Sequence, residues 1–192
     1  MAVTPPSRVV LDANVLFPAP LRDVLLAAAA HGWIEVRWTE RILRETLGSL
    51  VRTGWLAEDD APRLRRRLER ACPSAPVTGY EHLEAGLRNA PEDRHVAAAA
   101  LHAGASLVIT RNLRDFRKLP PGLRAQAPDA LLRGLLRERP AEMARLLRAL
   151  GAAGAADGNG GGLPEWLALL AKVAPGFVRE ARDVIGQGAQ AG

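Results

Sequence analysis

The apolar residues of this chain recur with two different periods, and the two alternate along it. Arg8-Val9-Val10-Leu11-Asp12 is a short, nearly continuous apolar run that ends in an acid. Such a run predicts a strand buried on both faces, as in a parallel sheet. Residues 106–110 repeat the pattern and end at Thr110. Residues 34–38 alternate apolar and polar side chains, which is the period of a strand. Helical patterns lie between these runs. Pro18 and Pro20 break the chain, residues 21–31 then read as a helix, and Gly32 is placed to stop it. Thr39 is a good N-cap for a helix over 41–52, which puts Ile42, Leu43, Leu47, Leu50 and Val51 on one face. Residues 59–71 predict another amphipathic helix, residues 75–78 a short strand, and residues 91–103 an Ala-rich helix closed by Gly104. Strand and helix in alternation predict an α/β fold with a mainly parallel sheet.

The pattern changes after Pro128. Residues 130–139 and 141–150 read as helices joined at Pro140, and residues 163–173 and 176–185 as two more, split by Pro175. The Gly/Ala-rich stretch 151–162 between the pairs reads as a flexible linker, and the tail from Gly186 as disordered. The expected organisation is a core over 7–128 followed by a helical extension over 129–192.

Composition narrows the function classes. Of 192 residues, 48% are hydrophobic, enough for one well-filled core with chain left over. The apolar stretch from Val24 to Ala30 is too short to span a bilayer. The first seven residues lack a basic-then-apolar signal pattern, so the expectation is a cytoplasmic protein with no membrane partner. Cys72 is the only cysteine, which excludes an internal disulfide and a thiolate cluster, and it reads as a small buried apolar residue. The net charge of +5 is carried almost wholly by arginine, since Lys118 and Lys172 are the only lysines. Arg63, Arg65, Arg66, Arg67 and Arg70 crowd one helix. A basic face of this kind attracts polyanions such as RNA, and it is also what a solvated helix face looks like.

The chemistry points to the ends of the strands. Asp12 follows an apolar strand directly, with Asn14 two residues on. Ligands of open parallel sheets bind outside the carboxyl ends of the strands. A carboxylate there is expensive to bury unless a partner such as a cation joins it. The strand over 106–110 delivers Thr110, Asn112 and Asp115 to the same edge. Glu45 lies one turn into the helix that follows the strand ending at Trp38, and Asp93 starts the Ala-rich helix. Each acid has an ordinary reading too. Asp93 suits a helix cap, Glu45 an exposed helix position, and Asp115 a turn. Together, four carboxylates from distant segments are expected to meet at one end of the sheet. Crowded carboxylates repel unless a cation joins them, and oxygen ligands without Cys or paired His suit Mg²⁺ or Mn²⁺.

Four segments resemble the motifs of PIN domains, in order and at similar separations: Leu11-Asp12-Ala13-Asn14-Val15-Leu16, then residues 39–47 with Glu45, then Glu92-Asp93-Arg94-His95-Val96-Ala97, then residues 106–116 with Thr110, Asn112 and Asp115. The resemblance implies a three-layer α/β/α fold, with RNA cleaved by metal-activated water. It implies Asp12, Glu45 and Asp93 as core acids and Asp115 as the fourth, with Asp12, Asp93 and Asp115 on the Mg²⁺ or Mn²⁺. Many relatives carry Asp where this chain has Asn112, which leaves open whether Asn112 or Asp115 completes the site. Asn14 and Thr110 are then expected to orient ligands or water. Arg94 and Arg111 flank the acids and are expected either to hold substrate phosphates or to be surface arginines. His95 is expected to pack or to face solvent.

The region from Asp129 is similar to the helical extension of one group of VapC-type toxins. That similarity implies an RNA substrate, a VapB-type antitoxin as partner, and a homodimer. Two other readings stand beside it. A PIN scaffold that binds RNA or a protein without cutting would keep the fold and lose the chemistry. A haloacid-dehalogenase-like phosphatase also opens with a strand and an Asp, and has a Thr after a later strand. That family wants a second Asp where Asn14 stands, and a later strand ending in adjacent acids.

Overall fold

A computed structural model describes residues 6–156 and 162–190. Chain contacts divide it into two compact units. The first holds the residues up to Phe17 and Ala28–Ala127, and the second holds Pro18–Ala27 and everything from Pro128.

The first unit is built on five short strands. β1 (Ser7–Leu11) is followed by one helical turn, α1 (Ala13–Leu16), and then by α2 (Ala19–Ala30), which Gly32 ends with a positive φ of 69°. Only glycine takes that conformation without strain. β2 (Ile34–Thr39) leads into α3 (Glu40–Arg52), where the Thr39 hydroxyl accepts the Ile42 N–H at 3.1 Å, as an N-cap should. A 3-10 turn at Glu58–Asp60 precedes α4 (Ala61–Ala71) and β3 (Pro76–Val77). Two further 3-10 segments, Glu81–Gly86 and Pro91–Asp93, lead to α5 (Arg94–His102). β4 (Leu107–Ile109), a 3-10 turn at Leu113–Phe116 and β5 (Arg124–Gln126) complete the unit.

All four strand pairings are parallel, in the order β3-β2-β1-β4-β5. β1 is central. Val9, Val10 and Leu11 are fully buried beside Leu107, Val108 and Ile109 of β4. Burial of each such side chain stabilises the fold by ~1.5–3 kcal/mol. α5 packs across β1, β2 and β4. Its residues 95–100 are all buried, so this helix lies inside the unit rather than on its surface. The chain order reverses between β1 and β4, and that reversal opens a crevice at their carboxyl ends. Cys72 is buried, as its setting in the sequence suggests.

β5 has no counterpart in the sequence reading. Its three residues, Arg124, Ala125 and Gln126, carry no apolar run, and the strand exists because β4 presents a free edge to pair with. Its register joins Leu107 to Arg124 and Ile109 to Gln126.

The second unit contains most of α2, up to Ala27, together with α6 (Pro128–Glu138), α7 (Pro140–Ala156), α8 (Leu163–Ala171) and α9 (Pro175–Gln190). Leu132, Met143, Leu147, Leu170 and Phe177 are fully buried. Asp129 holds the start of α9 by accepting the Phe177 N–H at 2.8 Å. The Gly/Ala stretch read as a linker is helical as far as Ala156, and residues 157–161 lie outside the described residues. A reason for its first glycine is visible. A Cβ on Gly151 would come within 2.6 Å of the Leu163 Cα, so the two helices approach closely only with glycine there. The tail read as disordered from Gly186 continues α9 to Gln190, and residues 191–192 lie outside the described residues. Among the described residues no helix is long and apolar enough to cross a membrane.

The cap on α3 matters for the site because α3 carries Glu45. Thr39→Ala is expected to destabilise the protein by ~1 kcal/mol and to speed amide exchange at Ile42, with Thr39→Ser close to wild type. Unchanged exchange at Ile42 in the Ala variant, measured by NMR, would show that packing alone holds the start of the helix.

Candidate functional site

Asp12 is the residue immediately after β1, and its backbone N–H extends the sheet by bonding the Ile109 carbonyl of β4 at 3.0 Å. It stands at the N-cap of α1, yet its side chain makes no cap bond. The carboxylate turns instead to β4, where Thr110 Oγ1 donates to Asp12 Oδ2 at 2.7 Å. Asn14 Nδ2 donates to the same oxygen at 2.5 Å and lies 3.1 Å from Thr110 Oγ1. The Asn112 N–H also donates to Thr110 Oγ1, at 3.0 Å. The Thr110 hydroxyl thus spends its one proton on Asp12 and accepts from two sides, which fixes its rotamer. Asn14 Oδ1 in turn accepts the Arg111 N–H at 2.9 Å. One network therefore ties the end of β1 to the end of β4.

Asp12 is only 5% exposed. Burial pushes its carboxyl above the ordinary range, and the Glu45 charge adds to that. The bonds from Thr110 and the Ala13 N–H, and the charge on His95, act in the opposite direction.

Asp93 arrives from a different direction, at the start of α5, and its side chain makes no cap bond either. Its carboxyl is pushed up to about 6, first by burial and then by the charges of Asp12, Asp115 and Glu92. Asp12 and Asp115 therefore lie within reach of the Asp93 charge. Asp115 sits in the turn after β4, and its backbone carbonyl accepts the Ala90 N–H at 3.0 Å, which fastens that turn to the segment leading into Asp93. The Asn112 amide donates to the Asp115 carboxylate. Asn112 therefore stands as a donor to the acid.

Glu45 projects from the second turn of α3. Burial alone would raise its carboxyl, but the His95 hydrogen bond and charge, together with Arg41, outweigh burial and hold it below the ordinary range. Arg41 Nε lies 3.0 Å from Oε1 and His95 Nε2 lies 3.4 Å from the same atom. Neither contact was expected from the sequence. His95 is 1% exposed rather than solvent-facing. The signal was present in the Ala-rich helix itself, since a helix apolar on every side is buried and a histidine within it needs a polar partner. Arg94 Nε lies 3.4 Å from the Asn89 carbonyl, and Arg111 is exposed beside Asn14.

Among the described residues, no three His, Cys, Asp or Glu side chains already form a group able to hold a metal ion. The cluster is open rather than a closed cage. Its donors still fit Mg²⁺ or Mn²⁺. They are oxygen atoms, they are partly desolvated, and they repel one another. Mg²⁺ commonly keeps several waters and takes only one or two carboxylates plus substrate phosphate. Asp12, Asp93 and Asp115 are the residues that could supply them.

A parallel five-stranded sheet with acids gathered at its switch point defines a class. The family model described as PIN domain matches residues 8–114, and the chain belongs to the PIN-domain family. It is also similar to a Mycobacterium tuberculosis protein named "Putative ribonuclease VapC50", with 35% identity over 91 residues, 42% of this chain and 50% of that protein. The chain thus spans about half the length of the curated relative it matches.

The raised Asp93 carboxyl has a consequence for stability. A folded pKa above the unfolded value of 3.8 means that the folded state holds the proton more tightly. That contribution is complete below pH ~4 and is lost as pH rises through about 6. With chelator present, Asp93→Asn is expected to melt above wild type at pH 7.5 and level with it at pH 4. Equal melting temperatures at pH 7.5 would show that the acids do not strain the fold.

Proposed function

We propose that this chain is a metal-dependent endoribonuclease, the toxin of a VapBC-type toxin–antitoxin pair, which hydrolyses RNA phosphodiester bonds. The observation that carries the proposal is the buried Asp12 carboxylate, bonded across the sheet to Thr110 and sharing its field with acids from two other segments. Mg²⁺ or Mn²⁺, when bound, lowers the pKa of a water and offsets the charge of a phosphate. The chain supplies the rest. Thr110 and Asn14 hold one oxygen of Asp12 in place. Asn112 holds Asp115. Glu45, held below the ordinary carboxylate range by its contacts with His95 and Arg41, is suited to accept a proton from an attacking water. Arg111 is exposed next to the cluster and is suited to a substrate phosphate, with Arg94 nearby.

The similarity to a protein named as a ribonuclease VapC supports RNA as substrate and a VapB-type antitoxin as partner. Membership of the PIN family favours this reading over a phosphatase of the dehalogenase type.

The purified chain, free of antitoxin, is expected to cleave RNA with Mg²⁺ or Mn²⁺ and to stop with chelator. Asp12→Ala and Asp93→Ala are each expected to lose at least ~100-fold in rate while remaining folded by circular dichroism. Equal cleavage by wild type and both variants would place the activity elsewhere. Salt-sensitive RNA binding without cleavage would favour a binding scaffold instead.

A further inference from the structure

His95 is the one titratable side chain buried beside the acids that the reaction scheme above leaves without a task. It begins the run of six consecutive buried residues in α5, two positions after Asp93. Nε2 lies 3.4 Å from Glu45 Oε1, while Nδ1 is buried with no hydrogen-bond partner. A buried polar atom without a partner is costly, so the ring is not placed there to satisfy itself. Its polar contact is made at one end only.

That end meets Glu45 in an uneven grip. Arg41 and His95 both approach Oε1, one from the surface and one from within. The Arg41 side chain is 41% exposed, and its contact is an i,i+4 pair on a helix. Such pairs contribute only ~0.3–0.5 kcal/mol, and a long exposed side chain leaves its partner free to move. His95 is locked by packing. Of the two, only His95 is rigid enough to decide where the carboxylate sits. With both donors on Oε1, Oε2 is left for water or another ligand.

We propose that His95 is a positioning residue that holds the Glu45 carboxylate toward the other acids through an Nε2–H contact on Oε1. This rests on the metal-dependent nuclease reading for its effect on rate, but the contact itself does not. The geometry makes a specific demand on substitutes. The amide nitrogen of Gln stands as far from the backbone as Nε2 and can take its place. The amide nitrogen of Asn falls where Nδ1 now lies, opposite no acceptor. Leu fills the space and donates nothing.

His95→Gln, His95→Asn and His95→Leu are to be compared with wild type in three measurements. Calorimetry with Mn²⁺ alone is expected to show affinity within about two-fold of wild type in all three, since Glu45 is not among the acids assigned to the metal. Steady-state cleavage of a fluorescence-quenched RNA oligonucleotide is expected to show kcat reduced ~10-fold or more in the Leu and Asn variants and largely restored in the Gln variant, with KM within about two-fold, since the substrate contacts are untouched. Long-range ¹H–¹⁵N spectra of the metal-free protein are expected to show the proton on Nε2, with that nitrogen shifted in Glu45→Gln. If the wild type binds Mn²⁺ but cleaves no RNA, the nuclease reading falls and the Nε2 spectrum still decides the role of His95. An Nε2 resonance indifferent to Glu45→Gln overturns the proposal whatever the metal or RNA results. So do Gln and Leu variants equally impaired, because packing and not the donor would then be what matters.

Discussion

The Thr110 hydroxyl on the Asp12 carboxylate is the contact on which the site's geometry depends. A carboxylate at 5% exposure has lost most of its water, and unpaired it would cost several kcal/mol. The protein meets that cost with a donor on the neighbouring strand, where the parallel register sets Leu11 beside Ile109 and so brings the next residues, Asp12 and Thr110, together. The bond is short because the register is fixed by six buried residues on two strands, not by the site itself. Asn14 and Asn112 then have little freedom, since each must satisfy an atom already held in place.

Around that fixed point, the other acids come from elements that owe their positions to other causes. Glu45 depends on the Thr39 cap and on the apolar face of α3. Asp93 depends on a helix buried on every side. Asp115 depends on a turn fastened by its own carbonyl to Ala90. Neither Asp12 nor Asp93 spends its carboxylate on capping the helix it precedes. The repulsion among them is tolerated because the framework is held by apolar packing, which does not depend on their charge.

The sequence made the framework legible where pattern and burial coincide. The runs ending at Asp12 and Thr110, the alternation over 34–38 and the Thr39 cap all appear as strands and cap in the structure. β5 was invisible because an edge strand of three residues is made by its neighbour's free hydrogen bonds, not by its own side chains. The helix through Gly151 was invisible for the opposite reason. Glycine and alanine there serve a close approach to Leu163, and composition alone reads such a stretch as loose. At the site, the acids could be picked out one by one, whereas the pairing of Glu45 with His95 required knowing that α5 is buried all round.

The Asp12–Thr110 bond joins residues 98 positions apart. β1 leaves the ribosome early, but its partner β4 and the edge strand after it emerge only when the first unit is almost fully synthesised. Until then β1 can pair only with β2, and Asp12 has no Thr110 to bond. Contacts of such high sequence separation also form late and carry the largest loop-closure cost. Geometry that depends on this bond is therefore absent from the nascent chain and is complete only with the sheet.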